Sequence, residues 1–352
     1  MTATRQAVNT GARLPDVAPS ARPAVARVAW LLLAVVLTVV AAAASVALGT
    51  RMVGWHDLLG GLSGGEDGIA QAAVAKRIPR TILALLVGAA LGLAGGVMQG
   101  VTRNPLADPG ILGVTAGAAL FVVAGIAFFS LSSPIAYIWV AIAGAAASAA
   151  FVYAVGSLGR GGPTPLKLAL AGAACSAAFT SLISAILLPR IDVMNVFRFW
   201  QIGGVGGASY DKITLVLPFL VVGVLVSIAS ARGLNSLALG DDVAAGLGER
   251  VWLTRLAAAV GAVVLCGAAT AVAGPIGFVG LVVPHLCRML VGLDHRWLLP
   301  LSALLGAALL TSADVVGRVV ARPAEIDVGI ITALVGAPVF IVLVRRLKVR
   351  AL

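Results

Sequence analysis

RIPRTILALLVGAALGLAGGVMQGVTRNPLADPG, residues 77–110, is the stretch that decides the fold. From Thr81 to Val101 it holds no charged residue. As a helix that run would be about 30 Å long, the thickness of a bilayer's hydrocarbon core. Backbone amides find no water at that depth, so the run must satisfy its own N–H and C=O groups as a helix. Gly88, Gly92, Gly96 and Gly100 recur every fourth residue and form one smooth stripe. A neighbouring backbone can come close along such a stripe, either as ordinary tight packing or as a sliding face of a pore. The helix should stop after Arg103, because Pro105 and Pro109 remove donors and disfavour helix at the residue before each.

The same signature repeats along the 352-residue chain. Spans are expected at about 28–49, 81–101, 110–130, 135–157, 166–188, 213–231, 253–273, 275–292, 298–321 and 327–344. The fold class is therefore an all-α polytopic membrane protein with ten transmembrane helices, in contact with lipid. Hydrophobic residues are 60% of the chain, charged residues 11%, and the mean hydropathy is +1.06. A soluble domain carries about one-quarter charged residues. The net charge of +11 would suggest nucleic acid in a soluble chain. Here the basic residues flank spans, and no nucleic-acid partner is expected. Cys175, Cys266 and Cys287 sit in apolar runs without metal-ligand spacing, so they read as small hydrophobes.

Residues 1–27 are polar, basic and proline-containing and read as a disordered cytoplasmic tail. Ala43-Ala44-Ser45 resembles a signal-peptide cleavage site, but the apolar run that contains it, Val28 to Gly49, is too long for the usual signal-peptide core and reads as a retained first span. Ten spans place both termini on one side. With the termini cytoplasmic, the outside basic residues are Arg51, Lys76, Arg77, Arg80, Arg190, Arg198, Lys212, Arg318 and Arg322, which leaves sixteen of the 25 inside. Residues 347–352 form a second cytoplasmic tail. The outer loop 50–80 reads as mobile with one short helix. The outer segment 189–212 reads as an interfacial helix, with Phe197, Phe199 and Trp200 at headgroup depth, followed by a flexible glycine link. In the cytoplasmic stretch 232–252, Asp241 and Asp242 should cap a short helix that stops at Gly246 and Gly248.

Gly274-Pro275-Ile276-Gly277 is a second helix break. Broken backbone is tolerated in a membrane where protein or a water-filled path covers it, so both breaks are candidate path features. Asp314 and Arg318, four residues apart, could pair on one face. His285 reads as a structural histidine, and His56 and His295 as loop residues. No catalytic residue and no resident metal are assigned. An ion-driven secondary transporter would keep a carboxylate or histidine at mid-membrane, and Asp314 and His285 are weak candidates. An intramembrane serine protease would need a paired nucleophile and base, and no such pairing is visible.

Residues 77–120, 274–300, 313–318 and 329–346 resemble the FecCD-type permeases of ABC importers, which carry ferric siderophores, haem or vitamin B12. The resemblance implies a type II ABC importer permease architecture in the cytoplasmic (inner) membrane, with spans 2–5 and 7–10 pseudo-symmetric. It implies a second permease subunit, identical or a paralogue, two cytoplasmic ATPase subunits and one external substrate-binding protein. No GxxxxGK[ST] occurs, so ATP and Mg belong to the partner ATPases and no cofactor is expected on this chain. By the same resemblance Arg77, Arg80 and Arg318 receive carboxylates of the binding protein. Leu239, Gly240, Asp241, Asp242, Ala245, Leu247 and Gly248 belong to coupling helices seated on an ATPase, with Ala245 where many relatives have arginine. Asn104, Pro105, Leu106 and Thr164 match gate positions. Ser176, Thr180 and Ser184 line the path. Asp327 replaces a proline common before the last span.

Overall fold

The computed structural model describes residues 23–65, 68–158 and 164–346. The tails expected over most of 1–27 and over 347–352 lie outside these residues. Fourteen α-helices occur among the described residues: α1 (Ala24–Ala47), α2 (Trp55–Leu62), α3 (Ile69–Thr102), α4 (Val114–Phe129), α5 (Pro134–Gly156), α6 (Pro165–Leu187), α7 (Ile191–Ile202), α8 (Tyr210–Ala229), α9 (Ala231–Leu237), α10 (Asp241–Gly246), α11 (Val251–Ala273), α12 (Val279–Val291), α13 (His295–Val320) and α14 (Val328–Arg346). Seven are long and apolar enough to cross a membrane: α1, α3, α5, α6, α8, α11 and α13. α4, α12 and most of α14 are shorter apolar helices.

α3 is the central post. Its apolar window is 78% buried, against 17% in both α1 and α6. Lipid is as apolar as leucine, so close contact and hydrogen bonding, not water exclusion, must hold the post in place. The glycine stripe supplies the contact. A Cβ at Gly88 would strike the Gly306 carbonyl oxygen, and one at Gly306 would strike that of Gly88. Of the two readings of the stripe, the packed seam is the one found, between α3 and α13. Side chains add hydrogen bonds across helices. Thr38 Oγ1 donates to the Leu304 carbonyl at 3.0 Å, Ser45 and Thr81 hydroxyls meet at 2.7 Å, and Ser148 Oγ donates to the Gly113 carbonyl at 2.8 Å.

Several boundaries differ from the sequence reading. α3 begins at Ile69, so the outer loop is shorter than expected and His56 lies on α2. Pro79 does not end α3. The added turns are held by α2, whose Gly60 and Gly61 lie flush against Gln71 and Val74. The span expected from 275 is helical only from Val279, because Gly274 and Phe278 both adopt positive φ, 70° and 67°. Phe197 is 1% exposed and stacked on Trp200, with ring centroids 5.7 Å apart, so it faces the core and not the headgroups. The glycine link after it is a bonded joint. The Gly204 N–H donates to the Ala273 carbonyl at 2.8 Å, and the Gly329 N–H to the Gly203 carbonyl at 3.0 Å. His295 is 5% exposed, its Nδ1 2.8 Å from Asn235 Oδ1, and so is no loop residue.

Candidate functional site

At the end where α1 finishes, its last carbonyls have no intrahelical donor. Three guanidiniums supply donors. Arg77 donates to the carbonyls of Val46 (3.1 Å), Ala47 (2.8 Å) and Arg51 (2.7 Å). Arg318 donates to the carbonyls of Ser45 and Leu48, both at 3.1 Å, and to Ser45 Oγ at 2.7 Å. Arg322 Nε reaches the Gly49 carbonyl at 2.9 Å. Positive charge at a helix C-terminus also complements its dipole.

The i,i+4 pair read from the sequence is present, with Arg318 Nη2 2.9 Å from Asp314 Oδ2. Arg80 completes the group. It donates to both oxygens of Asp314, at 2.8–3.1 Å, and to Glu325 Oε2 at 2.7 Å. Asp314 and Arg318 are 1% and 2% exposed. Arg77 and Arg318 are thus satisfied inside the chain, and a partner's carboxylate could reach them only by displacing these bonds. Above them lies an open cavity of about 280 Å3, lined by Arg51, Lys76, Arg77, Arg80, Arg318 and Glu325 among others. Arg51 and Lys76 are exposed there. Asp327, in the loop before α14, has its carboxyl pushed above the ordinary value by burial, with nearby Arg80 opposing that shift.

At the opposite end α3 closes on Arg103, which adopts φ 50°. The gate segment follows as a turn. Asn104 Oδ1 accepts the Leu106 N–H at 2.9 Å, and the Asn104 carbonyl accepts the Ala107 N–H at 3.1 Å. Asp108 Oδ1 then accepts the Gly110 N–H at 2.7 Å and caps a 3-10 turn, Pro109–Leu112. Thr164 caps α6, its Oγ1 accepting the Lys167 N–H at 3.3 Å.

Beside the gate turn stand α9 and α10. The cap differs from the sequence reading: Gly240, at φ 114°, occupies it, and Asp241 and Asp242 lie in the first turn without capping the helix. The stop is as read. The Gly248 N–H donates to the Ala245 carbonyl at 2.9 Å and the Glu249 N–H to the Ala244 carbonyl at 3.0 Å, a Schellman arrangement. Asp241 is spent elsewhere, on Arg103 and on Arg255 Nη2 at 3.0 Å. That bond ties the short helices to the shoulder of the gate turn. Leu239, Val243 and Leu247, four residues apart, are 62%, 51% and 67% exposed. Ala245 is exposed beside them. Exposed apolar side chains grouped on and beside a short helix make this a candidate surface for another protein.

Ser176, Thr180 and Ser184 repeat every fourth residue on α6. The Thr180 hydroxyl donates to the Ser176 carbonyl at 2.8 Å, and that of Ser184 to the Thr180 carbonyl at 3.0 Å. Thr180 and Ser184 are exposed. Their protons are committed within the helix, so the face is polar with no hydroxyl proton left free on Thr180 or Ser184. The Arg80–Asp314 and Arg103–Asp241 pairs were missed by sequence reasoning. Each spans over a hundred residues, and only the charges themselves were visible.

Comparison with known proteins places this geometry. The sequence pattern of the FecCD transport family matches residues 30–346. The "Probable siderophore transport system permease protein YfiZ" of Bacillus subtilis (strain 168) is 42% identical over 322 residues, covering 90% of this chain and 96% of that protein. The "Ferric enterobactin transport system permease protein FepD" of Escherichia coli (strain K12) is 44% identical over 312 residues, covering 88% and 93%. A solved structure described as an inward-facing conformation of a metal-chelate type ABC transporter superposes with a TM-score of 0.79 at 31% identity, covering 91% of this chain and all of that one.

Proposed function

Since this chain belongs to the FecCD transport family, we propose that it is the membrane-spanning permease subunit of an ATP-driven importer whose cargo is a ferric siderophore. Ten spans, both termini cytoplasmic, set it in the cell membrane. Two copies, or this chain and a paralogue, enclose the path between them, with the hydroxyl face of α6 toward the cargo. A loaded binding protein docks on the outer basic cavity, first through exposed Lys76 and Arg51, with Arg77, Arg80 and Arg318 beneath. Two ATPases seat on Leu239, Val243 and Leu247. Their closure on ATP is felt by Asp241 and passed through Arg103 to the gate turn at Asn104, Pro105 and Leu106, while Thr164 opens the adjoining edge. This chain makes and breaks no covalent bond of the cargo.

The observation that carries the reading is the apolar row joined to a gate turn by an ion pair, since it gives an external motor a grip on the path. Siderophore is favoured over haem or cobalamin by the two relatives above, both named for siderophore transport. The test is reconstitution of the chain with its ATPases and loaded binding protein in liposomes. ATP-dependent uptake of ferric siderophore is expected, with hydrolysis stimulated by the loaded binding protein. Uptake by the chain alone under a proton gradient would overturn the reading in favour of a secondary transporter.

A further inference from the structure

At the end of the bundle that carries the gate turn lies an open cavity of about 250 Å3. Its walls include Gln99 and Arg103 of α3, Pro105 of the gate turn, Ala238 after α9, Arg288 of α12 and His295 of α13. Two arginines line one space, and no carboxylate lines it among the described residues. Asp241 is already divided between Arg103 and Arg255, and Asp294, next to His295, accepts from Asn235 Nδ2 at 2.7 Å. The guanidiniums are held in place. Arg288 Nη2 donates to Gln99 Oε1 at 2.8 Å, and the Gln99 amide is fixed in turn by its Nε2, which donates to the Leu281 carbonyl at 3.2 Å. Arg103 is held by Asp241 on one side, leaving its other nitrogens unassigned. On the wall, His295 Nδ1 is 2.8 Å from Asn235 Oδ1, while its buried Nε2 has no partner.

Like charges confined to one hollow repel, and the cheapest relief is an anion between them. Guanidinium forks match the oxygens of a phosphate group bidentately. We propose that this cavity is a binding site for a phosphate or phosphomonoester group, which bridges Arg103 at the shoulder of the gate turn to Arg288 on α12. The space, set against about 30 Å3 for one water, admits such a group with part of its hydration. Free phosphate and the headgroup of an anionic lipid share this chemistry. The site goes beyond the transport reading, and binding to it requires no ATPase.

The experiment uses the full chain in phosphatidylcholine nanodiscs and follows its thermal unfolding. Sodium phosphate is titrated against sodium chloride at equal ionic strength. In a second arm, part of the phosphatidylcholine is replaced by phosphatidic acid. A saturable rise of the midpoint with inorganic phosphate but not chloride identifies free phosphate as occupant. A rise with phosphatidic acid alone identifies a lipid headgroup. In either case Arg288→Gln should weaken the response at least tenfold and Arg288→Lys should keep part of it. Should Arg288→Gln not fold, Ala238→Glu places a carboxylate on the exposed wall and should abolish the response in a folded protein. The proposal is overturned if neither probe exceeds its control, or if the folded variants respond as the wild type does. Such a failure would leave the transport reading intact, because no transport is measured.

Discussion

Replacing Asp314 by asparagine should be among the most damaging single changes outside the glycine seam. The carboxylate is 1% exposed and receives Arg80 through both oxygens at 2.8–3.1 Å and Arg318 at 2.9 Å. Asparagine keeps the shape and removes the charge, leaving Arg318, 2% exposed, with carbonyl and hydroxyl partners but no counter-charge. Breaking a buried pair by losing one member costs roughly 3–5 kcal/mol. Arg80 keeps Glu325 at 2.7 Å, so the lower end applies. A loss of about 3 kcal/mol lowers the folding constant somewhat over a hundredfold. The assay is reversible unfolding in mixed micelles by detergent titration, followed by tryptophan fluorescence. The double variant Asp314→Leu with Arg318→Met removes both charges and should recover part of the loss, because an apolar pair needs no desolvation. A single-variant effect under about 1 kcal/mol, or a double variant no more stable than the single, would refute the view that this pair locks together the ends of α1, α3 and α13 that meet here.

Leu247→Glu should leave the unfolding midpoint unchanged, since the side chain is 67% exposed, yet reduce co-purification of the ATPases at least tenfold. Asp241→Asn removes a partly exposed counter-charge, costs within about 1 kcal/mol of stability, and should lower cargo moved per ATP about tenfold while basal hydrolysis survives; unchanged coupling would exclude the relay. Lys76→Glu should cut stimulation of hydrolysis by the binding protein without moving the unfolding midpoint, because the side chain is exposed above the arginine clasp. Asp327→Asn tests the raised carboxyl. A folded-state value above the unfolded one means stability is fullest below the ordinary carboxylate range and falls as pH rises through the folded value. The variant should therefore match the wild type at low pH and be the more stable at pH 7, and equal stability at both would contradict the burial argument.

What the sequence made legible follows the range of each interaction. Apolar run length and proline position act over a few residues, so the break after Arg103 and most span positions could be read directly. So could the Asp314–Arg318 pair, which shares one helix face. The early start of α3 at Ile69 could not be read, because it depends on the packing of α2 against its first turns. The aromatics of α7 misled the reading because composition suits both an interface and a core, and only the neighbours of Phe197 decide. The partners of Arg80 and Arg103 lie 234 and 138 residues away, beyond any local pattern.

The two ends of α3 are built for different tasks, and the contrast bears on how motion could travel. At the Arg80 end the Asp314 ion pairs are buried, and Arg318 shares its donors with helix-terminal carbonyls, so rearrangement would strand several groups at once. At the Arg103 end the pair is partly exposed, 35% and 46%, and water can replace either partner at small cost. Between them the Gly88–Gly306 seam brings the α3 and α13 backbones into direct contact. On the proposed function, a force applied at α10 would therefore reach the turn at Asn104 through a pair that can re-form, while the Arg80–Asp314–Arg318 cluster stays closed. That asymmetry requires the inner substitutions to alter coupling and the outer ones to alter stability. If Asp314→Asn uncoupled hydrolysis from transport without destabilising the chain, or Asp241→Asn unfolded it, the division of labour would be reversed.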